Sequence, residues 1–256
     1  MRLVDTDELV RQVRHLYRDV ALNPHAGYHF DVGRGLAERL GYSAEVLDRI
    51  PAGAVESFAG VGLFFDLAAL RAGERVLDLG SGSGMDAFVA ATSVGPTGLV
   101  VGIDYTDEQL AKARGLAAAA GVAHAQFRHG HIEHPPVPDA GFDCVISNGV
   151  INLSPDKPAV FAAAARALVP GGRLAIADIV TDQQLTEAIV GNADLWASCI
   201  GGAAQHDDYQ QMISDAGLCV EVVRTNAYTF LSERARRASH TYGVKSISLL
   251  ARKPID

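Results

Sequence analysis

The sequence predicts an α/β fold: a mainly parallel, doubly wound sheet carrying a helical segment at its N-terminus. Three observations predict it. From residue 74 onward, short apolar runs alternate with helical stretches, the order that gives parallel strands joined by right-handed crossovers on both faces of a sheet. Glycine is frequent (26 residues) and aromatics are few (7%), which suits close backbone packing and tight strand-to-helix turns. The first part of the chain, to about residue 70, shows helical spacing only. A chain of 256 residues makes one large domain, or one with a modest appendage. The expected division is a helical cap over residues 1–70, covering the substrate, and a cofactor-binding domain over 71–256.

In chain order, residues 5–22 place Leu9, Val10, Val13, Leu16, Tyr17 and Val20 on one stripe, which predicts a peripheral helix. Asn23-Pro24-His25-Ala26-Gly27 ends it. Two short helices follow over 33–40 and 43–50, the second opened by Ser43 as N-cap with Glu45 behind it. Residues 75–79 read as a strand ending in a glycine-rich turn, and 85–94 as its helix. The alternation repeats as strand 99–103 with helix 106–120, strand 142–147 with helix 156–168, and strand 173–179 with a helix running into Cys199. Residues 125–129 form a weaker strand. After a helix over 206–216, the β-rich runs 218–225 and 244–251 can pair antiparallel at a sheet edge.

Composition narrows the function. Hydrophobic residues at 48% and charged residues at 20% give a chain able to bury a core. Lys+Arg 22 against Asp+Glu 30 leaves a net charge of −8 without a long basic run, which argues against nucleic-acid or membrane-surface binding and for small-molecule chemistry. No apolar stretch is long enough for a membrane span, and the polar start does not resemble a signal peptide, so a cytoplasmic location is expected. The three cysteines, Cys144, Cys199 and Cys219, are scattered, which indicates neither a disulfide framework nor a structural zinc site. Cys144 and Cys219 sit in apolar strand patterns and are expected to be buried.

The loop Asp78-Leu79-Gly80-Ser81-Gly82-Ser83-Gly84 lies where open α/β sheets bind ligands, just beyond the carboxyl end of a strand. Glycines there let a ligand rest on backbone amides at the start of the next helix. Gly82-Ser83-Gly84-Met85-Asp86-Ala87 also matches a dinucleotide fingerprint, so a nicotinamide-dependent oxidoreductase is the competing reading. Charge separates the two. Asp78 and Asp86 would repel a pyrophosphate but attract a cofactor that carries an ammonium and a sulfonium, as S-adenosyl-L-methionine does. Asp104 closes the next strand, where a carboxylate can accept both hydrogen bonds of a ribose diol.

Val76 to Gly84, Gly102-Ile103-Asp104 and Leu168-Val169-Pro170-Gly171-Gly172 resemble the signatures of class I S-adenosylmethionine-dependent methyltransferases. The resemblance implies a Rossmann-like sheet of seven strands with the last one antiparallel. It also implies that Gly80, Gly82 and Gly84 face the amino-acid end of the cofactor, that Asp104 holds its ribose, and that Tyr105 and Ile132 flank its adenine. His131 stands where the family often has an acid meeting the adenine amine.

A closer resemblance, to arsenite methyltransferases and their bacterial relatives, runs through Tyr28-His29-Phe30, residues 56–62, Ser147 to Lys157 and Trp196 to Ala203. Such enzymes hold trivalent arsenic with cysteine thiolates, soft ligands for a soft centre. Cys199 matches one family thiol, but Gly149 occupies the place of another, and no cysteine precedes Cys144. The acceptor is therefore either arsenic completed by added thiols or a different small molecule. In the second case His29 is the candidate general base, its alternative being a staple between cap and sheet. Asn148 and Asn152 stand just past the fourth strand and can position substrate or cofactor, or cap the turn that follows. The cluster His129, His131, Glu133 and His134 lacks the spacing of a metal site, and no metal is expected. The expected product is S-adenosyl-L-homocysteine, and the expected state a monomer or homodimer.

Overall fold

The computed structural model describes residues 6–190, 196, 200–231 and 233–255. Five helices come first: α1 (Thr6–Leu22), α2 (Arg34–Leu40), α3 (Ala44–Leu47), α4 (Ala52–Glu56) and α5 (Phe65–Ala68). Ser43 caps α3 by accepting from the Val46 amide, the role its position predicts. The short helices α4 and α5 have no clear periodicity and were not expected.

The strands are β1 (Arg75–Leu79), β2 (Leu99–Asp104), β3 (Ala125–His129), β4 (Phe142–Asn148), β5 (Leu168–Thr181), β6 (Ala204–Gln205), β7 (Cys219–Thr225) and β8 (Lys245–Arg252). They form one sheet in the order β3-β2-β1-β4-β5-β8-β7. The pairs from β3 to β5 are parallel, and β8 runs antiparallel to both β5 and β7. The seven-stranded path with an antiparallel last strand is thus present, and the two-residue β6 adds an eighth by pairing with Val180 and Thr181. Between the strands lie α6 (Met85–Val94), α7 (Asp107–Ala120), a 3-10 turn (Ile151–Leu153), α8 (Lys157–Ala167), α9 (Glu187–Val190), α10 (His206–Asp215) and α11 (Glu233–Tyr242). Most of the helix expected to run into Cys199, and Cys199 itself, lie outside the described residues.

Alternation along the strands sorts the core into two layers. Val76, Cys144, Ile146, Ala175 and Ala177 face one side with Phe58, Phe64 and Phe88, whereas Leu77, Leu79, Val145, Leu174 and Ile176 face the other with Phe161 and Tyr209. Cys144 is buried as expected, but Cys219 is exposed. The reason is topological: its strand β7 is the sheet edge, and an apolar run looks the same whether its strand is central or peripheral.

The order of β1 and β4 fixes the site. Chain progression reverses between these neighbours, which opens a crevice at their carboxyl ends. The N-terminal helices close over it. Arg14 pairs with Asp107 at 2.6 Å and Arg18 with Glu108 at 3.0 Å, while Gln109 Nε2 donates to the Tyr17 carbonyl and Lys112 Nζ to the Ala21 carbonyl and Ser57 Oγ. Behind the crevice, Arg173 makes a bidentate pair with Glu74 and donates to the carbonyls of Ala68 and Ala69, which ties α5 to the sheet. Among the described residues no helix is long and apolar enough to cross a membrane.

Candidate active site

A cavity of about 1090 Å³, measured out to its mouth, lies at the carboxyl ends of β1, β2 and β4 beneath α1. Of the residues singled out in the sequence, Asp78, Gly80, Gly82, Asp104, Tyr105, His131, Ile132 and Asn148 all line it. Chain segments more than fifty residues apart therefore meet at one place.

Asp78 is buried at 2% exposure, and its Oδ2 has no hydrogen-bond partner among the described residues; Ser81 Oγ, also buried, is in the same condition. Burial, and then the negative charges of Asp86 and Asp104, push the Asp78 carboxyl well above the usual range. An acceptor oxygen held this way is open to a donor from a ligand or from ordered water. Asp104 is also raised by burial, opposed by the amides of Thr106 at 2.8 Å on Oδ1 and Gly82 at 2.9 Å on Oδ2. Each of its oxygens keeps a second lone pair for a diol. Tyr105 and His131 stack with rings 5.4 Å apart and 3° from parallel, beside Ile132. The planar stack offers a surface for a heteroaromatic ring.

The three loop glycines serve different ends. Gly80 has φ +77°, and a Cβ there would lie 2.5 Å from both methyls of Val150. Gly82, at φ +53°, has open space on the ligand side, its nearest neighbour being Gln109 Oε1 at 3.7 Å. Gly84 is not among the described lining residues: its φ is +93°, and Phe127 Cζ would be 2.7 Å from a Cβ, so the turn and Phe127 require glycine there.

Asn148 lines the cavity, but its amide is engaged by the protein. Its Nδ2 donates to Asp86 Oδ2 at 2.9 Å and to the Gly62 carbonyl at 3.0 Å, and its Oδ1 accepts from the amides of Val61 at 2.8 Å and Gly62 at 3.3 Å. Tyr42 donates to Asp86 Oδ1 at 2.6 Å. One buried knot thus joins the helical segment, the end of β4 and the first turn of α6. Burial raises Asp86 to about 6 in spite of the hydrogen bonds from Tyr42 and Asn148, which lower it.

Tyr42→Phe is expected to lower stability by about 1–2 kcal/mol, and by more at about pH 8 than at about pH 5. Asp86 keeps its proton to higher pH in the folded chain than in the unfolded one, so its ionisation costs stability as pH rises through about 6. Loss of a donor enlarges that cost. Urea unfolding at the two pH values measures it; an equal loss at both would detach Tyr42 from the charge on Asp86.

Two expected catalytic residues stand elsewhere. Asn152 is fully buried away from the cavity lining, its Nδ2 and backbone amide both donating to Asp178, which also accepts from Tyr209 at 2.7 Å. It organises the turn after β4. His29 is not in the lining either; its ring meets Phe30 edge-on at 4.7 Å, and Phe30 stacks with Tyr28 and Tyr17. These ring contacts form an aromatic cluster beside α1, within the N-terminal helical segment. Cys199 lies outside the described residues.

Sequence reasoning missed Glu133, which lines the cavity and accepts from the Ser154 hydroxyl, and Gln109, which accepts from Ser83. Glu133 lies two residues past His131, so the acid beside the Tyr105 stack is present but displaced along the chain. Among the described residues the lining includes no thiol: Cys144 is inside the sheet and Cys219 on the outer strand, and a Cβ at Gly149 would sit 3.1 Å from Val61 Cγ1. A cofactor with an ammonium, a diol and an adenine thus finds a partnerless carboxylate oxygen, a second carboxylate and a flat stack.

Comparison with known proteins agrees with this chemistry. Residues 70–217 match the family model described as a methyltransferase domain. An arsenite methyltransferase of Halobacterium salinarum is 41% identical over 221 residues, covering 85% of this chain and 56% of the relative. An arsenite methyltransferase of Aquipseudomonas alcaligenes is 44% identical over 151 residues, covering 56% of this chain and 44% of the relative. The chain therefore spans about half the length of these curated relatives. Among solved structures, an arsenic(III) S-adenosylmethionine methyltransferase from Chlamydomonas reinhardtii superposes with a TM-score of 0.64 at 30% identity, covering 87% of this chain and 74% of that one.

Proposed function

Because the chain belongs to the class I S-adenosylmethionine-dependent methyltransferases, in the branch of the arsenite methyltransferases, we propose that it transfers a methyl group from that cofactor to a small-molecule acceptor. The observation that carries the reading is the buried Asp78 oxygen that no described residue satisfies, in a carboxylate-lined cavity at the glycine loop. In this reading Asp78 takes the cofactor ammonium, Gly80 and Gly82 present backbone to its amino-acid end, Asp104 accepts from its ribose, and Tyr105, His131 and Ile132 cover its adenine. Glu133 stands beside that stack as acceptor for the adenine amine.

When bound, the cofactor supplies a methyl carbon made electrophilic by a sulfonium, and leaves as S-adenosyl-L-homocysteine. The chain's contribution is placement. The knot of Tyr42, Asp86 and Asn148 fixes the loop 60–62 against the start of α6, and α1 excludes water from above, so that acceptor and cofactor are held together in a dry space. Such positioning supplies about 7–11 kcal/mol where the geometry is good. In this role residues 1–70 act as the cap and 71–256 as the cofactor domain. The reading is of a cytoplasmic monomer or homodimer with no nucleic-acid partner.

A second acceptor reading, arsenite completed by added thiols, is supported by what the relatives are called. The deciding assay follows S-adenosyl-L-homocysteine formation from labelled cofactor with arsenite or methylarsenite, with and without excess thiol, beside a panel of organic metabolites. We expect turnover with an organic acceptor and none with arsenite; product with arsenite alone would reverse the assignment.

A further inference from the structure

We propose that the acceptor is an uncharged, largely apolar organic molecule, and that the cavity selects against anions; this rests on the methyltransferase reading above. Two features of the lining carry it. One wall is built from Leu9, Val10 and Val13 of α1 together with Phe58, Val150 and Leu153. Among the described residues, the remainder of the lining brings in four carboxyl groups, Asp78, Asp86, Asp104 and Glu133, and neither lysine nor arginine.

By sequence, the segments 1–5 and 191–199 add one arginine, Arg2, and two acids, Asp5 and Asp194. Lys157 is close in sequence and is not among the described lining residues; its ammonium donates to the Ser154 carbonyl at 2.8 Å, lies 4.9 Å from the centre of the Trp196 ring, and feels the charges of Asp178 and Glu133. Arg14, on the helix that forms the roof, is turned outward to Asp107. Among the described lining residues an acceptor carboxylate or phosphate would find no cationic side chain, in a place where burial strengthens repulsion between like charges.

The transfer itself favours the same class. An acceptor lone pair forms the new bond to the methyl carbon, the carbon–sulfur bond breaks with its electron pair going to sulfur, and the positive charge passes to the acceptor. A neutral hydroxyl, amine or enol thus becomes transiently cationic before it gives up a proton to solvent. The acid-lined cavity is electrostatically suited to that transient cation. An anionic acceptor would instead be repelled on entry. An acceptor held by thiolates would need ligands that the described lining does not contain.

The test is calorimetric titration of the protein loaded with S-adenosyl-L-homocysteine, using two probes that share a ring system: 2-naphthol, uncharged at neutral pH, and 2-naphthoate. We expect 2-naphthol to bind at least about tenfold tighter than 2-naphthoate. In Val10→Lys, which places a cation on the apolar wall, that preference should narrow or invert, with circular dichroism confirming the fold. Equal or tighter binding of 2-naphthoate to the native protein, failure of both probes to bind, or an unchanged preference in Val10→Lys overturns the inference. If S-adenosyl-L-homocysteine itself does not bind, the cofactor reading fails; if it binds and the probes behave otherwise, only the acceptor inference falls.

Discussion

Asp78→Asn is expected to weaken S-adenosylmethionine binding about 100-fold, close to 2.7 kcal/mol, while leaving the fold intact. The substitution keeps the shape and removes the charge that would meet the cofactor ammonium. The same change should stabilise the protein without ligand. Asp78 is raised well above the usual carboxylate range by burial and by Asp86 and Asp104, so the unfolded chain loses this proton at lower pH than the folded one. Its contribution to stability therefore falls as pH rises above the unfolded value, and the amide abolishes that fall. Urea unfolding should find the variant at least as stable as the native protein at about pH 8, and little different at about pH 4. Binding should also release protons, because an ammonium beside Asp78 lowers its pKa; the heat of titration in buffers of different ionisation enthalpy reports this. Unchanged affinity and unchanged proton release in Asp78→Asn would remove the residue from the site.

Gly80→Ala is expected to cost about 3 kcal/mol of stability, and cofactor binding with it. Two effects add. The backbone at φ +77° disfavours any side chain, by about 1–2 kcal/mol, and the new Cβ would lie 2.5 Å from the Val150 methyls. Overlap of that kind is relieved only by moving one of the two segments. Pairing the change with Val150→Ala should recover the overlap part and leave the backbone part, which chemical denaturation of the single and double variants separates. If the double variant is no more stable than Gly80→Ala, the approach of Val150 is not what requires glycine at this position.

What was legible in the sequence is what short-range pattern encodes. Asp78 and Asp104 could be found because each ends an apolar strand next to a glycine turn or the start of a helix, so position and charge were visible together. The order of strands and helices was legible for the same reason, although α11 escaped: Glu233–Tyr242 is polar nearly all round and has no apolar stripe to report it. The roles of Asn148 and Asn152 were not legible. Asn148 ends β4 and Asn152 follows it closely, but their partners come from residues 42, 61, 62 and 86 in one case and 178 in the other, so only the folded chain shows one lining the cavity and the other not. Glu133 was hidden by the histidines around it, which drew attention to metal binding. His29 is a base candidate by residue type, and only the fold shows its ring edge-on to Phe30 and outside the described lining.

Calorimetric titration of one protein sample with S-adenosylmethionine and with NADH decides whether the carboxylate-lined cavity at the glycine loop takes a cationic cofactor or a pyrophosphate. We expect saturable binding of S-adenosylmethionine that Asp78→Asn weakens, and no binding of NADH at comparable concentration. Saturable binding of NADH, with none of S-adenosylmethionine, would contradict that expectation.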